Sequence, residues 1–170
     1  MKNTDTKTRV LELLFVFPTT SFHGREIARI LKISPPAIFK ALKQLEKESL
    51  ITAKKKLLYE IMANISNPNF KSMKRVYNLK TIYSSGLFNY LAGKFPLSAI
   101  VLFGSYSRGE DIEKSDIDIA VEGKEKETKL EAYEKKLNRK INIEFIDFNK
   151  IAKELKLSII NGIILSGYIT

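Results

Sequence analysis

The 170-residue sequence predicts an α+β chain of two domains joined by a helical connector. Three observations predict it. Apolar residues recur at helical spacing in three successive segments of the first 48 residues, then alternate as a strand pair does. Residues 99–121 form a second strand–loop–strand pattern that ends in two aspartates. Charge also divides unevenly: residues 1–95 hold 17 Lys and Arg against 6 Asp and Glu, whereas residues 96–170 hold 12 against 13. A basic first half beside a near-neutral second half points to two domains with different partners, nucleic acid being the natural partner of the first.

Composition excludes several classes. With no cysteine there is neither a disulfide nor a thiolate zinc site, and the single His23 cannot build a histidine metal cluster. No apolar run approaches the roughly 18 residues of a membrane span, so no membrane partner is expected. The opening MKNTDTKTRV lacks the apolar core of a signal peptide. The expected location is the cytoplasm.

In the first half, Val10, Leu13, Leu14 and Phe17 mark an amphipathic helix over 4–17 that stops before Pro18. A polar loop, Thr19 to His23, precedes a short helix over 24–32 with Ile27, Ile30 and Leu31 inward. Ser34 reads as an N-cap with Pro35 at the first helical position. The third helix buries Ile38, Ala41, Leu42 and Leu45 and runs to about residue 48. Leu50 to Ala53 and Leu57 to Ala63 read as two strands with Lys54-Lys55-Lys56 as their turn. The segment REIARILKISPPAIFKALKQLEKESLI and the hairpin after it resemble the winged helix-turn-helix of small prokaryotic transcription regulators, with residues 1–66 as the domain. The resemblance implies double-stranded DNA as partner, with the third helix in the major groove and the wing along the backbone. Ser34, Lys40 and Lys43 on the outward face of that helix, and Lys54, Lys55 and Lys56 on the wing, are the candidate DNA contacts. That face is poor in Arg, Asn and Gln, so affinity is expected to be largely electrostatic. Winged helices also serve as protein-docking modules.

Residues 67–96 read as the connector. A helix over 69–83 has Phe70, Met73, Val76, Tyr77 and Leu79 to Ile82 as inward candidates, and Lys71, Lys74, Arg75 and Lys80 on a basic outer face. Ser84-Ser85-Gly86 interrupts before a second helix, Leu87 to Lys94. These helices offer a surface for a homodimer.

The second domain, 97–170, centres on IVLFGSYSRGEDIEKSDIDIAV, residues 100–121. Residues two apart on a strand share a face, so Asp116 and Asp118 point together while Ile117 and Ile119 enter a core. Paired carboxylates repel unless a cation offsets them, and Mg²⁺ suits oxygen donors shared with phosphates. Gly104-Ser105, Arg108-Gly109 and Ser115-Asp116-Ile117-Asp118 resemble the signature of the minimal nucleotidyltransferases of the polymerase-β superfamily. That resemblance implies a small mixed sheet flanked by helices and a nucleoside triphosphate, ATP, as donor. It implies Gly104, Ser105, Arg108 and Gly109 at the phosphates, although Arg108 has an alternative as a surface partner of Glu110 or Asp111. It further implies two Mg²⁺ ions on Asp116, Asp118 and a third carboxylate on the strand KINIEFIDF. Glu144 takes that place better than Asp147, which faces the other way, even though the family usually has aspartate there. Between these strands, residues 124–140 read as a solvated charged helix with Leu130, Tyr133 and Leu137 inward; a last helix, Ile151 to Ile160, and a strand, Ile163 to Leu165, close the chain.

The resemblance implies transfer of a nucleoside monophosphate to an acceptor. Many minimal members of the family act as antitoxins toward a helical partner protein, which makes a protein acceptor the expectation. The alternative is a winged-helix regulator whose second domain senses nucleotide or partner without turnover.

Overall fold

The computed structural model describes residues 5–55 and 59–169, without the side chain of Lys55. The chain forms two compact units, Met1–Lys74 and Arg75–Thr170.

The first unit carries α1 (Thr6–Val16), β1 (Phe22–His23), α2 (Gly24–Leu31), α3 (Pro35–Lys47), β2 (Ile51–Lys55) and β3 (Tyr59–Ala63). Its antiparallel sheet has the order β1-β3-β2. The core gathers Val10, Leu14, Ile27, Ile38, Leu45 and Phe70. Phe70 meets Phe15 edge to face, with ring centroids 5.1 Å apart. On α3 the buried set is Ile38, Ala41, Leu42 and Leu45, as its spacing predicts. Ser34 stands at the N-cap of α3 with Pro35 next to it, but its hydroxyl makes no capping bond.

Four details of this unit differ from expectation. The loop before α2 contains β1, in which Phe22 pairs with Ile61; a two-residue strand is too short to show a period of its own. α1 buries Leu11 and Phe15 beside Val10 and Leu14, with Phe17 exposed, so its inward face is rotated from the predicted one. On α2 it is Ala28, not Ile30, that joins Ile27 in the core. The wing also starts later than predicted: Lys54 and Lys55 belong to β2, and Lys56 lies outside the described residues.

α4 (Pro68–Ser85) runs across the division between the units. Its buried positions are Phe70, Lys74, Asn78, Ile82 and Ser85, a stripe at helical spacing. Phe70 and Ile82 are inward as predicted, but Met73 and Val76, also predicted inward, are exposed, and Lys74, predicted outside, is 1% exposed. Three of the five inward positions are polar, so hydropathy alone misplaces part of this face.

The second unit continues with α5 (Leu87–Lys94), β4 (Ile100–Phe103), α6 (Gly104–Arg108), β5 (Ile117–Glu122), α7 (Glu131–Leu137), β6 (Ile141–Ile146), α8 (Lys153–Ile160) and β7 (Ile163–Ser166). The sheet order is β6-β5-β4-β7; β5 and β6 run parallel and the other neighbours antiparallel, giving the expected mixed sheet. One face packs Ile100, Leu102, Ile117, Ile119 and Val121 against Ile82, Leu87, Leu91 and Phe95. The other packs Val101, Phe103, Ala120 and Ile146 against Phe148 and Ile159. α7 is only seven residues long, because residues 124–129 hold no apolar side chain that could anchor a longer helix. Among the described residues, no helix is long and apolar enough to cross a membrane.

Candidate functional site

The carboxylates stand on the sheet face that α8 partly covers, at its uncovered end. Side chains alternate along β5, so Asp116, Asp118 and Ala120 share this face, with Ala120 in its apolar cluster. Asp116 is exposed and Asp118 half-buried. Antiparallel pairing sets Asp118 opposite Phe103, the last residue of β4, and the chain turns at once into α6. Gly104 makes that turn at φ +71°, a region that disfavours side chains. A Cβ at Gly104 would collide with the Asp118 carboxylate, approaching its Cγ to 3.3 Å. The glycine of the first motif is therefore required by the second aspartate of the other, and the two motifs form one site.

α6 begins here, with Ser105 half-buried and Ser107 buried and donating to the Gly104 carbonyl at 2.8 Å. Gly109 ends the helix in the left-handed conformation, φ +70°, and its N–H reaches back to the Ser105 and Tyr106 carbonyls. This gives Gly109 a structural reason to be glycine, independent of any phosphate. The Arg108 guanidinium lies 2.9 Å from Glu110, the surface pairing that the sequence left open for it.

The third strand of the site differs from expectation. Parallel pairing sets Asn142 opposite Asp118, and Glu144 one step further on, opposite Ala120. The Asn142 amide donates to Asp116 and Asp118, at 3.2 Å each. Among the described residues, no three His, Cys, Asp or Glu side chains gather as a metal cluster, and the side chain beside Asp116 and Asp118 is Asn142. Glu144 is exposed on the same face as Asn142. The donors at hand, two adjacent carboxylates with hard oxygens, fit one divalent cation. Asn142 was missed because an asparagine on an alternating strand carries no charge to draw attention.

A buried polar network fixes the loop before β5. Asn78 donates to the Tyr106 carbonyl at 2.9 Å and to Asp111 at 2.7 Å. Arg139 stands 3.7 Å from Asp111, and its guanidinium also donates to the Glu113 carbonyl. The Tyr106 hydroxyl meets Thr81 at 2.9 Å. Burial pushes the Tyr106 phenol up from 10.0 to about 12. An unfolded chain thus loses this proton first, so the contribution of Tyr106 to stability is whole below pH 10 and is lost as pH rises from 10 through 12. Urea midpoints measured from pH 9 to 12 are expected to show a loss approaching about 2–3 kcal/mol, and Tyr106→Phe to remove that step. An unchanged pH profile in Tyr106→Phe would exclude this residue as its source.

In the first unit, Ser34, Lys40, Lys43 and Lys54 are all exposed, the first three at the start and along the outer face of α3. Phe39 and Tyr59 are exposed as well and line a groove of about 320 Å³ between α3 and the β2–β3 pair.

Comparison with known proteins agrees with both halves. Residues 4–56 match the MarR family, and residues 86–167 match the family described as "Polymerase beta, Nucleotidyltransferase". The chain joins a MarR-family winged helix to a polymerase-β-family nucleotidyltransferase domain. A protein of Methanocaldococcus jannaschii named as a protein adenylyltransferase is 59% identical over 32 residues, which are 19% of this chain and 32% of that protein. The match thus spans about a third of the relative's length. No solved structure matches the chain.

Proposed function

We propose that the protein is a DNA-binding nucleotidyltransferase that moves AMP from ATP, with Mg²⁺, to an acceptor hydroxyl, a partner protein being the acceptor class. The observation that carries this is the Asp116–Asp118 pair locked against the Gly104 turn. Asp116 and Asp118 would hold the divalent cation, which when bound neutralises triphosphate charge. Gly104 lets backbone approach the phosphates closely, and Ser105 donates to their oxygens. The acceptor oxygen bonds to the α-phosphorus as the bond from that phosphorus to the β-phosphate oxygen breaks. Pyrophosphate leaves with the bonding pair, and the hydroxyl proton passes to water. A protein acceptor is supported by the name of the Methanocaldococcus jannaschii relative.

The test is calorimetric titration of ATP into wild type and Asp116→Ala, with and without Mg²⁺. Saturable binding that needs both Mg²⁺ and Asp116 is expected, with at least a tenfold loss in the variant. Equal binding by the two proteins would remove the metal-site assignment. A second reading, a regulator that holds nucleotide without turnover, is favoured by one observation: the side chain opposite Asp118 is an amide.

A further inference from the structure

We infer that Asn142 restricts the site to a single divalent cation and so throttles nucleotidyl transfer; the inference rests on the nucleotide site proposed above. Asn142 lies opposite Asp118 in the sheet and bridges both aspartates through one amide nitrogen. Two divalent ions held about 3.5–4 Å apart bring four positive charges into one small site. Beside the triphosphate, Asp116 and Asp118 supply two negative charges, and the side chain opposite Asp118 supplies none.

An amide is also active in the opposite sense. With its NH₂ group toward Asp116 and Asp118 it eases their mutual repulsion, which is otherwise the drive for cation uptake. Half a turn of the amide would present its carbonyl oxygen to a cation. That oxygen is a neutral ligand and takes no proton at neutral pH. Asn142 is thus able to complete the shell of one ion, but neither to support a second nor to accept the acceptor's proton. Glu144 does not repair this, being two residue pairs further along the strands, opposite Ala120. The reaction stays balanced as written above; what is missing is a charged group beside Asp118 to make the acceptor oxygen nucleophilic.

The expected consequence is a protein that takes one ion with its nucleotide and transfers slowly, and in which a single change, Asn142→Asp, restores the missing charge. Asn142 is exposed and its backbone pairing does not depend on the amide, so the variant keeps the fold. The experiment counts Mn²⁺ bound to the full chain saturated with a non-hydrolysable ATP analogue, from the paramagnetic resonance signal of unbound Mn²⁺. One ion per chain is expected for wild type and for Asn142→Ala, and two for Asn142→Asp. Pyrophosphate release from ATP by Asn142→Asp should rise about a hundredfold over wild type, the lower end of what a positioned base supplies. Two ions in wild type, two in Asn142→Ala, or one in Asn142→Asp with a native circular dichroism spectrum each overturn the inference. A wild type that takes up neither Mn²⁺ nor nucleotide overturns instead the nucleotide reading beneath it, and is recognised because no variant then binds the analogue.

Discussion

Asp111→Ala is expected to destabilise the second unit by about 3–5 kcal/mol, the range for leaving one member of a buried ion pair alone. Asp111 is 2% exposed, and the Arg139 side chain beside it is nearly as buried. Truncation at 111 strands the guanidinium without its carboxylate and takes from Asn78 the acceptor it holds at 2.7 Å. Domains are typically stable by about 5–15 kcal/mol, so the loss removes a large share of the total. It also frees the loop that feeds β5, and with it the placement of Asp116 and Asp118. The neighbouring residue is the control. Glu110 pairs with Arg108 on the surface, where an ion pair contributes at most about 1 kcal/mol. Glu110→Ala should therefore leave the urea midpoint nearly unchanged, while Asp111→Asn, which keeps the shape and an acceptor for Asn78 but not the charge, should fall between the two. Equal midpoints for Asp111→Ala and wild type would show that the network is not what holds the loop.

These adjacent carboxylates also show what was legible in the sequence. GEDIEK reads as a polar loop, and nothing local distinguishes Glu110, at the surface, from Asp111, in the core. The partners that decide it, Asn78 and Arg139, are 33 and 28 residues away. Where the signal is local, it suffices. The spacing of Ile38, Ala41, Leu42 and Leu45 behind Ser34-Pro35 defines α3 and its buried face. The alternation in DIDIAV defines which side chains of β5 enter the core and which carry the chemistry.

Where the signal is a register between distant segments, it fails. Asn142 and Glu144 both lie on the right face of β6, and the sequence favours Glu144 because a third carboxylate is sought there. The parallel pairing of β5 with β6 sets Asn142, not Glu144, opposite Asp118, and it is visible only once the sheet is assembled. The same holds for α4. Phe70, Lys74, Asn78 and Ile82 are regularly spaced, but two polar members make the stripe unreadable as a hydrophobic face.

For the first unit, the largest expected effect lies in charge. Neutralising Lys40, Lys43 and Lys54 together as Gln should lower affinity for duplex DNA about a hundredfold at 0.15 M salt. Each lysine that neutralises a phosphate releases about 0.9 of a counterion from the duplex, so three lost contacts reduce the salt slope by about 2.7 and the affinity by about two powers of ten. All three side chains are exposed, on α3 and β2, and none belongs to the core, so folding is not at stake. Loss should be uniform across sequences, because lysine at a phosphate positions the protein without reading bases. A base-reading role would behave differently: Lys40→Gln or Lys43→Gln alone would then weaken one preferred sequence by ten- to a hundredfold and leave random duplex unaffected. Fluorescence anisotropy on a random duplex, between 50 and 300 mM salt, separates the two. An unchanged slope in the triple variant would mean that α3 and the β2–β3 pair present their lysines to something other than DNA, and the exposed Phe39 and Tyr59 beside them would then mark a protein-docking face.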